Sequence, residues 1–366
     1  MPLPDASESH LGPPSDRPVR WGIVGCGDVT ERKSGPAFRQ IPGSDLVAVM
    51  RRTPGLAEDY ARRHGVARWT DDADALIDDP DVDAVYVATP PGSHLAIACR
   101  VAATGKPCYV EKPIARSAAE GQAMVDAFTV AGVPLFVAFY RRAWERVARV
   151  RDVIRSGEIG TVTSVESVYA RPARGDDSPA LPWRLRAEAS GGGLFVDLAS
   201  HALDLVDFLL GPLTDVSGVA ARGTATYDVE QSVAFAFRTG SAAGAEVVGS
   251  GRWSFASGVS EDRLTIVGTE GHVTLPVFGR TPIVVETAAG RVEHDVPPPE
   301  PVQLPMIANV VAALQRSDWR DEAAPVCTGA DAVRTAAVID TILGPYYGGR
   351  GDAFWKRPET WPGVRR

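Results

Sequence analysis

Cysteine is scarce in this chain, and the few thiols lie far apart. No CxxC pair occurs, and no histidine lies beside a cysteine at metal-ligand spacing. The pattern argues against a disulfide framework and against a metal site, so we expect reduced thiols, a cytoplasmic protein and no bound metal. The cysteines are Cys26, Cys99, Cys108 and Cys327.

Long apolar runs and an excess of positive charge are also absent. Every apolar run falls far short of the roughly 20 residues that a membrane helix needs, which excludes a membrane partner. Lys and Arg number 38 against 46 Asp and Glu, and the net charge of -8 argues against nucleic acid. Segment 1–17 has no basic region before an apolar run, so we expect a disordered tail rather than a signal peptide.

The 366 residues suffice for about two domains, and the texture of the sequence changes along the chain. Residues 18–140 alternate short apolar runs with amphipathic stretches, as βαβ units do, and predict a Rossmann domain with a doubly wound parallel sheet. Between two of the runs, Ser93 is placed to cap a helix and Gly105 to end it. The runs are VRWGIVG, DLVAVM, AVYVAT, PCYVEK and PLFVAFY.

Residues 141–345 contain segments in which apolar and polar residues alternate, unlike the continuous apolar runs of the first half. Alternating segments begin at about residue 159, and turns with Gly or Pro separate them, which predicts a mostly antiparallel sheet in a second α/β domain. Two helices are expected, in GGGLFVDLASHALDLVDFLLG and near PMIANVVAAL. Residues 346–366 are rich in Gly, Pro and charge, so we expect an irregular extension whose aromatic side chains pack on the body.

A glycine-rich turn follows the first predicted strand. Such a turn lets backbone N–H groups approach a pyrophosphate, although any tight turn between a strand and a helix has similar residues. Thr30 stands at the third position of GxGxxG, and Gly35-Pro36 interrupts the helix that follows. Because the turn opens the first βαβ unit, we interpret it as a dinucleotide site. Its residues are Gly25, Cys26, Gly27, Asp28 and Val29.

Arginine stands where the second strand ends. An acid at this point of a dinucleotide fold would bind the ribose hydroxyls, whereas arginine accommodates the 2′-phosphate of NADP. Arg51 and Arg52 therefore favour NADP, with NAD possible, unless they are solvated charges on a loop.

Two further strand ends carry candidate cofactor contacts. Thr89-Pro90-Pro91 forms a stiff loop that suits the lining of a flat ring, and His94 follows it, either as a contact or as a helix residue without a ligand. Glu111 and Lys112 lie before a proline at the next strand end, where ligands bind in open α/β sheets. An ordinary surface ion pair would fit the same two residues.

The late helix carries a narrow polar stripe on an otherwise apolar surface. Asp197, His201 and Asp204 are spaced i, i+4, i+7, with Ser200 and Asp207 at the margin. Such a stripe either faces water or lines a cleft. A histidine beside a carboxylate is what proton transfer at neutral pH needs.

In their order and spacing, GIVGCG, TPPGSH, VEKPIA, and WR followed by GGGLFVDLASHALD resemble the Gfo/Idh/MocA oxidoreductase family. The resemblance covers nearly the whole chain after the tail. It implies catalytic positions at Lys112, Asp197 and His201 and a cis bond between Lys112 and Pro113. The family usually has glycine where this chain has Ala199, which changes the helix packing beside the substrate.

The resemblance also implies contacts, fold and assembly. Glu111 would lie beside the cofactor, and Trp183 and Arg184 would lie near the nicotinamide. The second domain would hold a large open sheet, whose face is often used for a homodimer or homotetramer.

The implied reaction is hydride transfer between a secondary alcohol carbon and the nicotinamide. His201 would take or give the hydroxyl proton, Lys112 would stabilise negative charge on that oxygen, and Asp197 would orient the substrate or the histidine. We expect a neutral cyclic polyol such as a pyranose or an inositol, held between Trp183 and the carboxylates of the stripe. Two alternatives remain open. The protein would be a cofactor-binding sensor without catalysis, or an enzyme of the same fold that acts on diols or imines.

Overall fold

The computed structural model describes residues 17–173, 181–240, 244, 246–316 and 325–364. The expected tail therefore lies outside the described residues, apart from Arg17, which donates two hydrogen bonds to Asp83. No helix in the described ranges has the length and apolar character that crossing a membrane requires.

The first half folds into a six-stranded parallel sheet, as predicted. The five apolar runs form five of its strands, and burial of β-branched and aromatic side chains on both faces explains why these runs are continuously apolar. The third strand was not predicted, because only three residues pair there. The strands are β1 (Val19–Val24), β2 (Ser44–Met50), β3 (Arg68–Thr70), β4 (Ala84–Val87), β5 (Cys108–Val110) and β6 (Leu135–Val137). Their order is β3-β2-β1-β4-β5-β6.

Six helices lie between the strands of this sheet, and a seventh follows the last strand. The break at Gly35-Pro36 separates the first two helices, as predicted. Ser93 precedes the predicted crossover helix, but its hydroxyl donates to Thr89 Oγ1 and to the Pro90 carbonyl rather than capping the helix. The helices are α1 (Asp28–Arg32), α2 (Ala37–Gln40), α3 (Pro54–His64), α4 (Ala73–Asp78), α5 (His94–Ala102), α6 (Ala118–Ala131) and α7 (Glu145–Arg155).

The second half forms an eight-stranded sheet in which all neighbours are antiparallel except one pair. This confirms the predicted mostly antiparallel sheet. The strands are β7 (Val162–Ala170), β8 (Thr214–Ala221), β9 (Ser232–Gly240), β10 (Glu246–Ser254), β11 (Glu261–Gly268), β12 (Gly271–Leu275), β13 (Ile283–Thr287) and β14 (Gly290–His294). Their order is β14-β13-β12-β11-β7-β10-β9-β8, and β7 and β10 are the parallel pair.

Four further helices complete the described fold. The two predicted ones are present, whereas the long last helix was not predicted. They are α8 (Ala187–Ser190), α9 (Leu194–Leu210), α10 (Leu304–Gln315) and α11 (Gly329–Tyr347). The helix α11 ends two residues beyond the predicted domain boundary at 345. Phe354 and Trp361 of the extension are buried against Tyr347, which confirms the expected packing of its aromatic residues.

The helix α9 connects the two halves. Phe195 packs edge-on against Phe235 and Trp253 of the second sheet, with ring centroids 5.7 and 5.8 Å away. Farther along α9, His201 meets the ring of Phe139, which follows β6 of the first sheet. The start of α9 therefore lies where the carboxyl ends of the first sheet meet the second sheet.

Candidate active site

A cavity of about 910 Å³ lies at the carboxyl ends of the parallel strands, and residues of both halves line it. This is where open α/β sheets bind their ligands. All predicted catalytic and cofactor-binding residues except His94 line the cavity. They are Gly25, Cys26, Gly27, Asp28, Val29, Arg51, Arg52, Thr89, Pro90, Pro91, Glu111, Lys112, Trp183, Arg184, Asp197 and His201.

The glycine-rich turn brings backbone close to one end of the cavity. Gly25 has φ +97°, and a Cβ there would lie 2.7 Å from Thr89 Cγ2, so only glycine fits without displacing the loop. At Gly27 a Cβ would meet nothing nearer than 4.0 Å, and it would occupy the open space beside Arg51. Thr30, at the position of the third glycine, exchanges hydrogen bonds with the Gly27 backbone. The turn fits a pyrophosphate.

Arg51 and Arg52 follow β2 beside this turn. Neither has a carboxylate within 4.0 Å among the described residues. Their N–H groups are therefore available to a phosphate at this end of the cavity.

His94 does not line the cavity, and its assignment as a cofactor contact needs correction. Its ring is fully buried, with Nδ1 3.0 Å from the Ile114 carbonyl and Nε2 2.7 Å from the Thr89 carbonyl. The ring links the loop after β4 to the segment after β5. His94 is therefore a helix residue without a ligand, which was the alternative prediction.

Glu111 is buried in a network of neutral partners and is not part of a surface ion pair. One oxygen, Oε1, accepts from the Tyr86 hydroxyl and from Gln303 Nε2, both at 2.6 Å. Gln303 in turn accepts from the Tyr109 hydroxyl at 2.9 Å. Gln303 was not foreseen, since it lies 192 residues from Glu111 in the sequence.

Lys112 and Asp197 form the central ion pair of the cavity. Lys112 Nζ donates to Asp197 Oδ1 at 2.6 Å and to the Asp197 carbonyl at 2.7 Å. Arg184 Nε donates to the other carboxylate oxygen at 2.9 Å. Burial would raise the pKa of Asp197, but the charges of Lys112 and Arg184 outweigh it and lower the pKa. The Lys112–Pro113 bond is cis, as predicted.

His201 lies one turn along α9 from Asp197. It is 3% exposed, and its Nδ1 has no hydrogen-bond partner among the described residues. The rings of Phe139 and Tyr140 meet it edge-on at 5.8 and 5.1 Å. Burial lowers the pKa of His201 well below 6.5, and the charges of Arg141 and Lys112 lower it further. The imidazole is therefore neutral at pH 7.

The rest of the polar stripe does not reach the cavity. Asp204 is 1% exposed and is bound by Arg142 through three hydrogen bonds of 2.7 to 3.1 Å. Burial raises the pKa of Asp204 to about 6 against the attraction of Arg142. Asp207 pairs with Arg334, and the Ser200 hydroxyl donates to the helix backbone. The whole stripe is buried, so the interpretation of the stripe as a face exposed to water is wrong. Only Asp197 and His201 line the cavity.

Three lining residues beside His201 were missed. Tyr140 and Arg141 follow β6. They could have been predicted, because ligands bind at the carboxyl ends of the strands in such a sheet. Phe278, between β12 and β13, carried no such signal.

The cavity is cationic although the chain is anionic. Eight Arg and Lys side chains line it against four carboxylates. Of the stripe carboxylates expected in the wall, only Asp197 lines the cavity, and two cations already bind it. The cations are Lys33, Arg51, Arg52, Lys112, Arg116, Arg141, Arg184 and Arg186, and the acids are Asp28, Glu111, Glu188 and Asp197.

A parallel dinucleotide-type sheet joined to a large open sheet, with a lysine and a histidine in the cavity between them, defines a nicotinamide-dependent dehydrogenase or reductase. Residues 19–139 match the family model described as an oxidoreductase family with an NAD-binding Rossmann fold. Residues 147–274 match the GFO/IDH/MocA C-terminal domain. The chain belongs to the Gfo/Idh/MocA family of oxidoreductases, as the resemblance implied.

Two curated relatives and one solved structure extend the comparison. Oxidoreductase P35 of Formosa agariphila is 36% identical over 89% of this chain and 98% of its own length. The scyllo-inositol 2-dehydrogenase (NAD(+)) of Bacillus subtilis is 29% identical over 74% of this chain and 78% of its own. A structure of levoglucosan dehydrogenase with NADH and L-sorbose superposes with a TM-score of 0.76 at 25% identity, covering 89% of this chain and 96% of that one.

Proposed function

We propose that the protein is an NADP(H)-dependent oxidoreductase that transfers a hydride between the nicotinamide and a secondary alcohol or ketone carbon of a sugar or cyclic polyol. The observation that carries the proposal is the meeting of Lys112 and His201 in one cavity that also holds the glycine-rich turn and Arg51.

The residues present fit a nicotinamide dinucleotide. The backbone of the turn around Gly27 would hold the pyrophosphate, and Arg51 and Arg52 would hold a 2′-phosphate. The nicotinamide supplies or accepts the hydride when it is bound. Trp183 and Pro91 give that part of the cavity an apolar lining.

Lys112 is the residue that stabilises the substrate oxygen. An ammonium group has three donors, and Asp197 takes two of them, so one remains for the hydroxyl that is oxidised. Negative charge that develops on this oxygen lies against a fixed cation. Asp197 contacts Lys112 and Arg184 rather than the His201 ring, so its role is to orient the lysine.

His201 is the proton acceptor in alcohol oxidation and the donor in ketone reduction. Because its imidazole is neutral at pH 7, it accepts the hydroxyl proton as the hydride leaves. Its aromatic surroundings exclude water from the ring and fix its orientation.

The sugar or cyclitol substrate has support from two sides. The names of the relatives include an inositol dehydrogenase and a levoglucosan dehydrogenase. The Trp183 ring offers a face on which the CH groups of a sugar can stack. A sensor without catalysis would need only the cofactor half, which makes Lys112 and His201 unnecessary.

We also propose a cytoplasmic homodimer or homotetramer. All four cysteines are free thiols, in line with a reducing compartment. The outer face of the second sheet exposes Val219 and Val248, at 69% and 58%, and light scattering of the purified protein tests its use as an interface.

The test is a panel of alcohols assayed by absorbance of the reduced nicotinamide. Sugars, sugar acids and inositols, an apolar cyclic diol and a cyclic imine are each supplied with NADP and with NAD in the matching redox state. We expect turnover of a sugar-type compound with NADP favoured by about tenfold or more. Turnover confined to the diol or the imine, or cofactor binding without turnover of any compound, would overturn the proposal.

A further inference from the structure

Arg141 is a buried cation of the cavity wall that lacks a counter-charge. Its side chain is 6% exposed, and it lines the cavity beside His201. Among the described residues, no carboxylate lies within 4.0 Å of its nitrogens. Burying a charge without a partner is costly, so the position calls for an explanation.

Its donors are largely unused. Nε donates to the Val277 carbonyl at 2.8 Å, and Nη1 has no hydrogen-bond partner among the described residues. The guanidinium lies 4.8 to 4.9 Å from the ring centres of Tyr140, Trp144 and Phe278. These rings stabilise the positive charge but do not replace acceptors for the in-plane N–H groups.

Other buried arginines use more of their donors. Two of them bind a carboxylate, and Arg146, which like Arg141 has one unpartnered nitrogen, donates through both of its Nη groups. Arg142 binds the Asp204 carboxylate, and Arg350 binds the Asp340 carboxylate at 2.7 Å. Arg146 donates to the carbonyls of Gly279 and Thr281 at 3.0 and 2.8 Å. In comparison, Arg141 donates to one carbonyl, has an unpartnered Nη1 and lines the cavity.

Arg141 and His201 share one wall. The Tyr140 ring lies 5.1 Å from the His201 ring and 4.9 Å from the Arg141 guanidinium. Phe278 lies 6.2 Å from the same histidine ring and 4.8 Å from the same guanidinium. A substrate that presents a hydroxyl to His201 therefore lies next to Arg141.

We propose that the substrate is an acidic sugar, a cyclic polyol that carries a carboxylate as a uronate does, and that Arg141 binds this carboxylate. The inference rests on the proposed function and specifies its substrate class. A single guanidinium between aromatic rings suits a planar monoanion, since charged carboxylates accept two parallel N–H bonds from arginine.

Substrate binding would then prepare the base. After burial, the positive charge of Arg141 is the largest cause that lowers the pKa of His201. A carboxylate on Arg141 offsets this charge and raises the pKa of His201 towards its ordinary value. An acidic substrate would thus meet a stronger base than a neutral one.

The experiment compares matched sugars in wild type and two variants. Glucuronate and galacturonate are paired with glucose and galactose, and glucose 6-phosphate tests a phosphate in place of the carboxylate. The readout is the ratio of kcat/KM for the acid to kcat/KM for its neutral partner. We expect Arg141→Met to lower this ratio about 10- to 100-fold and Arg141→Lys to restore part of it.

The control is Arg146→Met, which removes a buried arginine that does not line the cavity and should leave the ratio unchanged. Titration of NADPH fluorescence shows that each variant is folded. An unchanged ratio in Arg141→Met, or a preference for the neutral sugars or the phosphate in wild type, overturns the inference while sugar turnover still supports the proposed function. Absence of turnover with every sugar and sugar acid overturns the proposed function itself.

Discussion

At the scale of single residues, Lys112 and His201 reach one cavity from different halves of the chain. Lys112 follows β5 of the parallel sheet, and His201 lies on α9. Asp197 links them, because it lies one helical turn before His201 and binds the Lys112 ammonium group at 2.6 Å. Lys112 and Asp197 are 85 residues apart in the sequence, so no local pattern could have predicted their contact; the family resemblance placed both in one site.

Replacing His201 with Asn should lower turnover by about 10²- to 10⁴-fold, because the proton acceptor is lost while the cofactor contacts remain. Lys112→Met should do the same through loss of the oxyanion contact. Steady-state kinetics and NADPH titration are the measurements. His272→Asn, on β12 outside the cavity lining, is the control. Near wild-type turnover in both site variants would refute the assigned roles.

The pH dependence follows from the lowered pKa of His201. The groups that face it are Arg141, Lys112 and Lys33, whose charges disfavour the imidazolium, and burial acts in the same direction. The imidazole, which we propose as the base, is therefore neutral at every pH above about 6.5, the ordinary histidine pKa. We expect kcat/KM for alcohol oxidation to stay level from about pH 8 to 6.5 and to fall below that. A fall that begins near pH 7.5 would contradict this.

Arg51 and Arg52 are the proposed determinants of cofactor preference. Removing a charge-assisted contact of about 1.5 to 3 kcal/mol should weaken NADP(H) binding by one to two powers of ten and leave NAD(H) binding nearly unchanged. Fluorescence titration of both cofactors into wild type and Arg51→Ala/Arg52→Ala measures this. Equal affinities in wild type would be incompatible with an NADP enzyme.

At the scale of elements, the sequence predicted the strands with strong apolar patterns and missed those without them. β8 has a half-exposed, irregular alternation at the sheet edge, and β3 is three residues long. The helix α11 carries Gly329, Gly344 and Pro345, which argue against a helix in the sequence although packing on α6, α9 and β8 holds it. Local preference was overruled there by tertiary contacts.

Asp204 lies on the predicted face of α9 but does not line the cavity. Spacing places Asp197, His201 and Asp204 on one face of α9, but a residue two turns on lies about 10 Å farther along the axis. At that distance the cavity has ended, and Arg142 occupies the face instead. Periodicity predicts which face a side chain lies on, but it does not predict what lies opposite each turn.

Two glycines of β10, Gly249 and Gly251, allow the rings of Phe237 and Phe235 on the neighbouring strand to pack directly on the β10 backbone. A Cβ on Gly251 would lie 2.1 Å from the Phe235 ring, so Gly251→Val should lower the free energy of unfolding by about 1 to 3 kcal/mol. Gly258→Val is the control, because a Cβ on this exposed loop residue would meet nothing within 4 Å; it should change the free energy of unfolding by less than about 0.5 kcal/mol. Urea denaturation measures both, and equal losses would show that the ring contact is not the cause.

The extension after α11 supports the rim of the cavity. Arg350 is 3% exposed and donates to the carbonyls of Gly191 and Arg116 at 2.5 and 2.9 Å. Arg116 lines the cavity, and its guanidinium lies 3.8 Å from the Trp355 ring. The composition predicted that the aromatic side chains would pack but not the contact of Trp355 with Arg116, because Arg116 lies in the first half of the chain.

At the scale of the whole molecule, two sheets with different patterns meet at one helix and enclose the site between them. The carboxyl ends of the parallel strands supply the cofactor side, and α9 supplies the histidine. The charge of the cavity differs in sign from that of the chain. The chain has a net charge of -8, whereas cationic side chains outnumber acidic ones around the cavity. Composition predicts the first charge only, because the second depends on which side chains turn inward.

The most direct test of the central claim follows the hydride. Per-C-deuterated myo-inositol and glucuronate are incubated with NADP and wild type, and the reduced nicotinamide is examined by mass spectrometry and NMR. The account predicts deuterium at C4 of the ring, delivered to one face, and transfer slowed about 10²- to 10⁴-fold in Lys112→Met and His201→Asn. Reduced nicotinamide without deuterium, or transfer at the wild-type rate in both variants, would contradict it.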